Sequence, residues 1–151
     1  MNDINRREFL KLSGAAAASM SASLEPVEAL EHLEPLVQAP QIERVRIGVV
    51  GVGLQGGSHV ENFLKIPGCR ITAVCDIREE RTSWAQKAIT SAGHPAPAMY
   101  SRGPRDFERL CETEDLDLVF TATPWEWHVP VMLAAMKAGK HPATEVPAAM
   151  T

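Results

Sequence analysis

Polar and apolar positions change rhythm along the chain, and after residue 44 the rhythm is regular. Val45–Val50 (VRIGVV) is a short, nearly continuous apolar run that reads as a buried first strand. Ser58–Lys65 follows with Val60, Phe63 and Leu64 on one helical face, and Pro67-Gly68 closes it. The alternation then repeats. Ile71–Cys75 reads as a second strand, and Glu79–Thr90 as a helix whose Trp84, Ala85, Ala88 and Ile89 suit one buried face. Met99-Tyr100 suggests a short third strand and Asp106–Cys111 a short helix. Leu118–Thr121 is a fourth strand, Val129–Ala138 a helix stopped by Gly139, and Ala143–Glu145 the start of a fifth strand. Near-continuous apolar strands alternating with helices indicate a parallel sheet covered on both faces, the doubly wound α/β class of Rossmann type. The chain ends at Thr151, just past the fifth strand, so the sheet is expected to be incomplete.

The first forty residues follow a different pattern. Asn5-Arg6-Arg7-Glu8-Phe9-Leu10-Lys11 precedes a mildly apolar, Ala/Ser-rich stretch from Leu12 to Leu24. A paired arginine before a soft apolar region resembles a twin-arginine export signal, with small residues at Ser19–Ala22 for cleavage. An amphipathic N-terminal helix with a chance Arg-Arg is the alternative. Glu25–Gln41, with Pro26, Pro35 and Pro40, reads as a linker or short helix. The expected organisation is signal and linker over 1–40 and a dinucleotide-binding domain over 41–151. The signal implies the twin-arginine machinery as a partner and a periplasmic or extracytoplasmic destination.

Composition narrows the function classes. At 151 residues with 45% hydrophobic content there is material for one modest core. A net charge of −4 argues against a surface built to neutralise nucleic-acid phosphates. No apolar run reaches the ~20 residues of a stable membrane span. Cys69, Cys75 and Cys111 lack metal-ligand spacing and are odd in number, which favours buried thiols over a disulfide framework or metal site.

The strongest chemical signal is Gly51-Val52-Gly53-Leu54-Gln55-Gly56, a GxGxxG placed directly between a strand and a helix. Gly51 permits the tight turn, Gly53 admits a pyrophosphate where a Cβ would intrude, and Gly56 lets helix and strand approach. The helix N-terminus offers free N–H groups and a positive dipole to the phosphates. Asp76 follows about 25 residues after the first glycine, at the end of the second strand, as this fingerprint requires. A carboxylate there accepts the ribose hydroxyls and repels a 2′-phosphate, which favours NAD over NADP, although Arg78 is near. Ser58 suits a helix cap, and His59 is expected to face solvent.

A second constellation sits at the ends of strands four and five: Thr121-Ala122-Thr123-Pro124-Trp125-Glu126-Trp127-His128 and Glu145-Val146-Pro147. Ligands of open parallel sheets bind beyond the carboxyl ends of the strands, so both segments face the same crevice as the glycine loop. Either Trp125 and Trp127 cover the sheet edge while His128 starts a helix, or the segment forms a platform beside the nicotinamide half of the cofactor. In the second case His128 is available to a ribose or substrate hydroxyl. His141 reads as a structural turn residue, and His32 and His94 as incidental.

These segments, VRIGVVGVGLQG, ITAVCD, DLDLVFTATPWEWHVPVMLAAMKAGKH and EVP, resemble the Gfo/Idh/MocA family of NAD(P)-dependent oxidoreductases over residues 44–151. Dehydrogenases of that family carry Glu-Lys-Pro where this chain has Glu145-Val146-Pro147, and the lysine serves in catalysis. TPWEWH with EVP behind a twin-arginine signal is similar to the glycoside hydrolase family 109 branch, typified by α-N-acetylgalactosaminidases. The resemblance implies cofactor contacts at Leu54-Gln55, Asp76, Trp125 through His128 and Glu145-Val146. It implies transient oxidation at sugar C3, elimination, hydration and re-reduction, a redox-neutral cycle without the paired carboxylates of ordinary glycosidases. It further implies a second domain, beyond this chain, supplying the carbohydrate pocket and the catalytic groups. No catalytic residue is therefore expected here, and an exposed face is expected where the missing domain would sit. A homo-oligomer is compatible with the full-length protein. An exported sugar dehydrogenase and a non-catalytic binding module are the alternatives.

Overall fold

The computed structural model describes residues 42–149. The signal, its cleavage region and the linker lie outside the described residues. Five parallel strands form one sheet in the order β3-β2-β1-β4-β5. They are β1 (Val45–Val50), β2 (Cys69–Cys75), β3 (Ala98–Tyr100), β4 (Leu118–Thr121) and β5 (His141–Thr144). The helices are α1 (Leu54–Phe63), α2 (Glu79–Ser91), α3 (Asp106–Thr113) and α4 (His128–Lys137), the last entered through a single 3₁₀ turn at Trp125–Trp127.

The strand order follows from the crossovers. From central β1 the chain steps outward to β2 and β3, returns past β1 and continues outward through β4 and β5. Helices before the return cover one face, and those after β3 cover the other. Ile47 and Val49 of β1 join Ile71, Val74 and Phe120 beneath Val60 of α1 and Ala85 and Ile89 of α2. Val50 points the other way, with Cys75 and Val119, toward Phe107, Leu110 and Cys111 of α3 and Val131 and Ala135 of α4. The alternation is the period-two geometry of a strand, and burial on both faces explains why the strands read as continuous apolar runs. The reversal between β1 and β4 leaves a crevice at the carboxyl ends of these two strands.

Several details differ from the sequence expectations. α1 begins at Leu54, not Ser58, because its first turn buries Gly56 and Gly57 and exposes Leu54, so no buried apolar side chain marks the periodicity there. Ser58 is therefore within the helix, where its hydroxyl donates to the Leu54 carbonyl at 3.3 Å instead of capping the N-terminus. Trp84 is 39% exposed; the buried face of α2 is Thr82, Ala85 and Ile89. The tryptophan instead lies over α1, its ring 3.1 Å from the point a Gly57 Cβ would occupy. β5 starts at His141, which is exposed and pairs in register with Leu118, not at Ala143. Pro142 lies opposite Val119, on a strand that among the described residues pairs only with β4.

All three cysteines are free. Burial pushes the Cys75 thiol up to about 12 and the Cys111 thiol up to about 11, which keeps both protonated and unreactive.

Candidate functional site

The glycine loop turns directly out of β1. Gly51 has φ +81°, and its N–H donates to the Cys75 carbonyl at 2.7 Å, which anchors the turn to β2. A Cβ on Gly51 would lie 2.9 Å from the Ala122 backbone, and one on Gly56 1.8 Å from the Gly51 carbonyl oxygen. These two glycines bring β1, α1 and the end of β4 together. Gly53 is different. A Cβ there would meet nothing within 4 Å, so the residue borders open space at the start of α1. The first-turn N–H groups of a helix have no partners within it and carry the positive end of its dipole.

Asp76 follows β2 and ties the loop down. Its Oδ2 accepts the Val52 N–H at 3.0 Å, and its Oδ1 accepts the Arg78 N–H at 3.0 Å. Each carboxylate oxygen keeps further acceptor capacity for a ligand hydroxyl. A cleft of about 280 Å³ opens beside these groups, with Gly51, Gly53 and Asp76 on one side and Phe107, Thr123 and Trp127 on the other. Phe107 and Trp127 meet edge to face, with ring centroids 5.9 Å apart at 71°, and form an apolar wall. The residues fit a dinucleotide: an unobstructed glycine at a helix N-terminus for the pyrophosphate and a carboxylate beyond β2 for a ribose.

The structure separates the members of the TPWEWH segment. Trp127 lines the cleft, whereas Trp125 is 60% exposed and, with the exposed Glu126, stands outside the cleft lining. His128 is 1% exposed. Its Nδ1 lies 2.8 Å from the Pro147 carbonyl oxygen and its Nε2 2.9 Å from that of Thr123, so the ring joins the ends of the two segments. Leu54 and Gln55 are exposed on the first turn of α1. Glu145 lies one residue past β5, where its N–H donates to the Thr121 carbonyl at 3.1 Å, and Val146 beside it is 82% exposed.

Two groups escaped the sequence reading. Gly103 and Pro104, from the segment joining β3 to α3, and Phe107, at the start of α3, line the far side of the cleft. Their position at the carboxyl end of a parallel strand was the available signal. His59 is half-buried, not solvent-facing, and its Nε2 bonds the Glu145 carboxylate. That hydrogen bond holds the Glu145 carboxyl below its ordinary value. A contact between residues so distant in sequence has no local signature. Among the described residues, no group of three or more His, Cys, Asp or Glu side chains is placed to hold a metal.

Comparison with known proteins identifies the fold and the family. The family model for the Gfo/Idh/MocA oxidoreductases, described as an NAD-binding Rossmann fold, matches residues 45–151, and that for the twin-arginine translocation signal matches 3–23. A glycosyl hydrolase family 109 protein of Saccharopolyspora erythraea is 42% identical over 99% of this chain and 35% of its own length. One from Porphyromonas gingivalis is 40% identical over 95% of this chain and 34% of its own. The chain thus spans about a third of the length of these relatives. Among solved structures, scyllo-inositol dehydrogenase from Lactobacillus casei with bound NAD(H) and scyllo-inositol superposes with a TM-score of 0.61 at 28% identity. That match covers 72% of this chain and 29% of the dehydrogenase.

Proposed function

Because the chain belongs to the Gfo/Idh/MocA oxidoreductase family, whose NAD-binding Rossmann domain it carries over residues 45–151, we propose that it is the cofactor-holding part of an exported NAD-dependent glycosidase. Within it, Gly51, Gly53, Gly56 and the N-terminus of α1 receive the pyrophosphate, and Asp76 takes the ribose hydroxyls nearest β2. Trp127 and Phe107 wall the cleft, Glu145-Val146 serve the nicotinamide half, and buried His128 holds the ends of the two segments together behind it. Bound NAD supplies reversible oxidation and reduction at one carbon of a sugar. The chain's own residues bind and orient it and keep water from the apolar wall.

Val146 carries the choice of glycosidase over dehydrogenase. An exposed valine stands where the family's dehydrogenases are expected to have lysine, and a valine neither donates a proton nor holds a substrate hydroxyl. The names of the relatives at 42% and 40% identity support the same reading. The twin-arginine signal supports export of a folded protein to the periplasm or outside the cytoplasm. The likeness to an inositol dehydrogenase favours a second reading, an exported polyol or sugar dehydrogenase.

The two part on one assay. The protein that joins this domain to the remaining length seen in its relatives should be given nitrophenyl N-acetylhexosaminides and, separately, free sugars and inositols. Release of nitrophenol without net NADH is expected. Net NADH from the free polyols, with no nitrophenol, would establish the dehydrogenase instead.

A further inference from the structure

His59 stands on the helix that begins at the glycine loop, one turn past Gly56, and its surroundings give it a fixed orientation. Its ring centroid lies 4.6 Å from that of Phe120 on β4 and 6.2 Å from that of Phe63 at the end of α1. Phe63 and Phe120 meet edge to face at 5.4 Å, forming a shelf that carries the imidazole. From this shelf Nε2 reaches across to the Glu145 carboxylate just past edge strand β5.

A glutamate at that place would otherwise sample several rotamers. Holding it in one of them before a ligand arrives removes an entropy cost from binding. The backbone of the same segment is fixed from another side, since buried His128 bonds the Pro147 carbonyl two residues on. α1 thus starts at the pyrophosphate turn and carries the ring that orients Glu145, so one helix links the middle of the cofactor site to its nicotinamide end.

We propose that His59 is a positioning residue that holds the Glu145 carboxylate ready to accept hydroxyl groups at the nicotinamide end of the cofactor site. The proposal rests on the placement of Glu145-Val146 at that end given under Proposed function. His59 itself touches no substrate; it acts through Glu145.

The test uses NADH titration of the 151-residue chain, read by nucleotide fluorescence, with circular dichroism to confirm the fold of each variant. Glu145→Gln should weaken NADH about tenfold, the loss of one hydrogen bond from a charged acceptor. His59→Leu should weaken it about as much, and the double variant no further, because both changes remove one interaction. His59→Gln, which keeps a side-chain N–H donor, should recover part of the loss. A second readout is independent of affinity: the Glu145 side-chain carboxyl, followed by ¹³C NMR, should titrate at higher pH in His59→Leu than in the parent. Unchanged NADH affinity in Glu145→Gln would overturn the placement of Glu145 at the cofactor. A loss in Glu145→Gln with neither a loss nor a shifted titration in His59→Leu would overturn the positioning role alone.

Discussion

A methyl group on Gly56 would sit 1.8 Å from the Gly51 carbonyl oxygen, whereas one on Gly53 would meet nothing within 4 Å. The two glycines of one motif therefore serve different ends, and substitution separates them. Gly56→Ala forces α1 away from β1 and should cost at least about 3 kcal/mol, the upper part of the overpacking range. At about 4 °C or more per kcal/mol, its thermal midpoint should fall by more than about 10 °C. Gly53→Val should keep the circular dichroism spectrum and a midpoint within a few degrees, but weaken NADH at least about tenfold by filling the pyrophosphate's approach. Undiminished NADH binding in Gly53→Val would remove the pyrophosphate from this loop. The turn at Gly51, the close approach at Gly56, the helix start at Gly53 and the place of Asp76 after β2 are legible in sequence because each is a local feature of the backbone. His59 and Trp84 are not, because the surface each meets belongs to another element.

At the scale of elements, Arg46 and Asp117 fasten the start of β1 to the entrance of β4. Arg46 donates from its backbone N–H at 2.8 Å, its Nε at 3.0 Å and its Nη2 at 2.8 Å to the Asp117 carboxylate. The contact begins the register in which Ile47 pairs with Leu118. These bonds hold the Asp117 carboxyl at about 2, below the ordinary 3.8. A carboxyl depressed in the folded state adds stability above its unfolded value and loses it as the pH falls through the folded one. The contribution is therefore complete above about pH 4 and fades toward pH 2. Asp117→Asn should lower the urea midpoint at pH 6, with the gap to the parent narrowing as the pH approaches 2. An equal gap at both pH values would show that the ionised pair is not its source. The cores of the strands are legible in sequence because two-sided burial writes continuous apolar runs, while their first residues are not. Nor is the start of α1, because buried glycines stand in its first turn where apolar side chains would mark the pattern.

At the scale of the molecule, one run of exposed apolar side chains among the described residues lies on α4 and the turn before it. Trp125, Val129, Leu133 and Met136 recur at helical spacing and are 60%, 36%, 46% and 51% exposed. A stripe of this kind marks an interaction surface or an aggregation liability. The chain should take up an apolar dye such as bis-ANS in its native state. Leu133→Lys combined with Met136→Lys should abolish most of that fluorescence while moving stability by only about 0.5 kcal/mol, as exposed sites allow. Dye uptake equal to the parent's would place the apolar surface elsewhere. The sequence implies an exposed face without placing it, since a helix pattern shows which residues are apolar and not which neighbour covers them.

The order of strands and helices, the glycine turn, the acid after β2 and the choice of NAD were determined by sequence, because each depends on residues close along the chain. Period-two and period-3.6 patterns, positive φ and helix ends are properties of short segments. Only the tertiary structure decided which parts of the second constellation meet the cleft. It put Trp127 on the cleft wall, left Trp125 in solvent, buried His128 between two carbonyls and brought His59 to Glu145. Those outcomes are set by the reversal between β1 and β4, which gathers strand ends far apart in sequence and selects which face of each helix is buried.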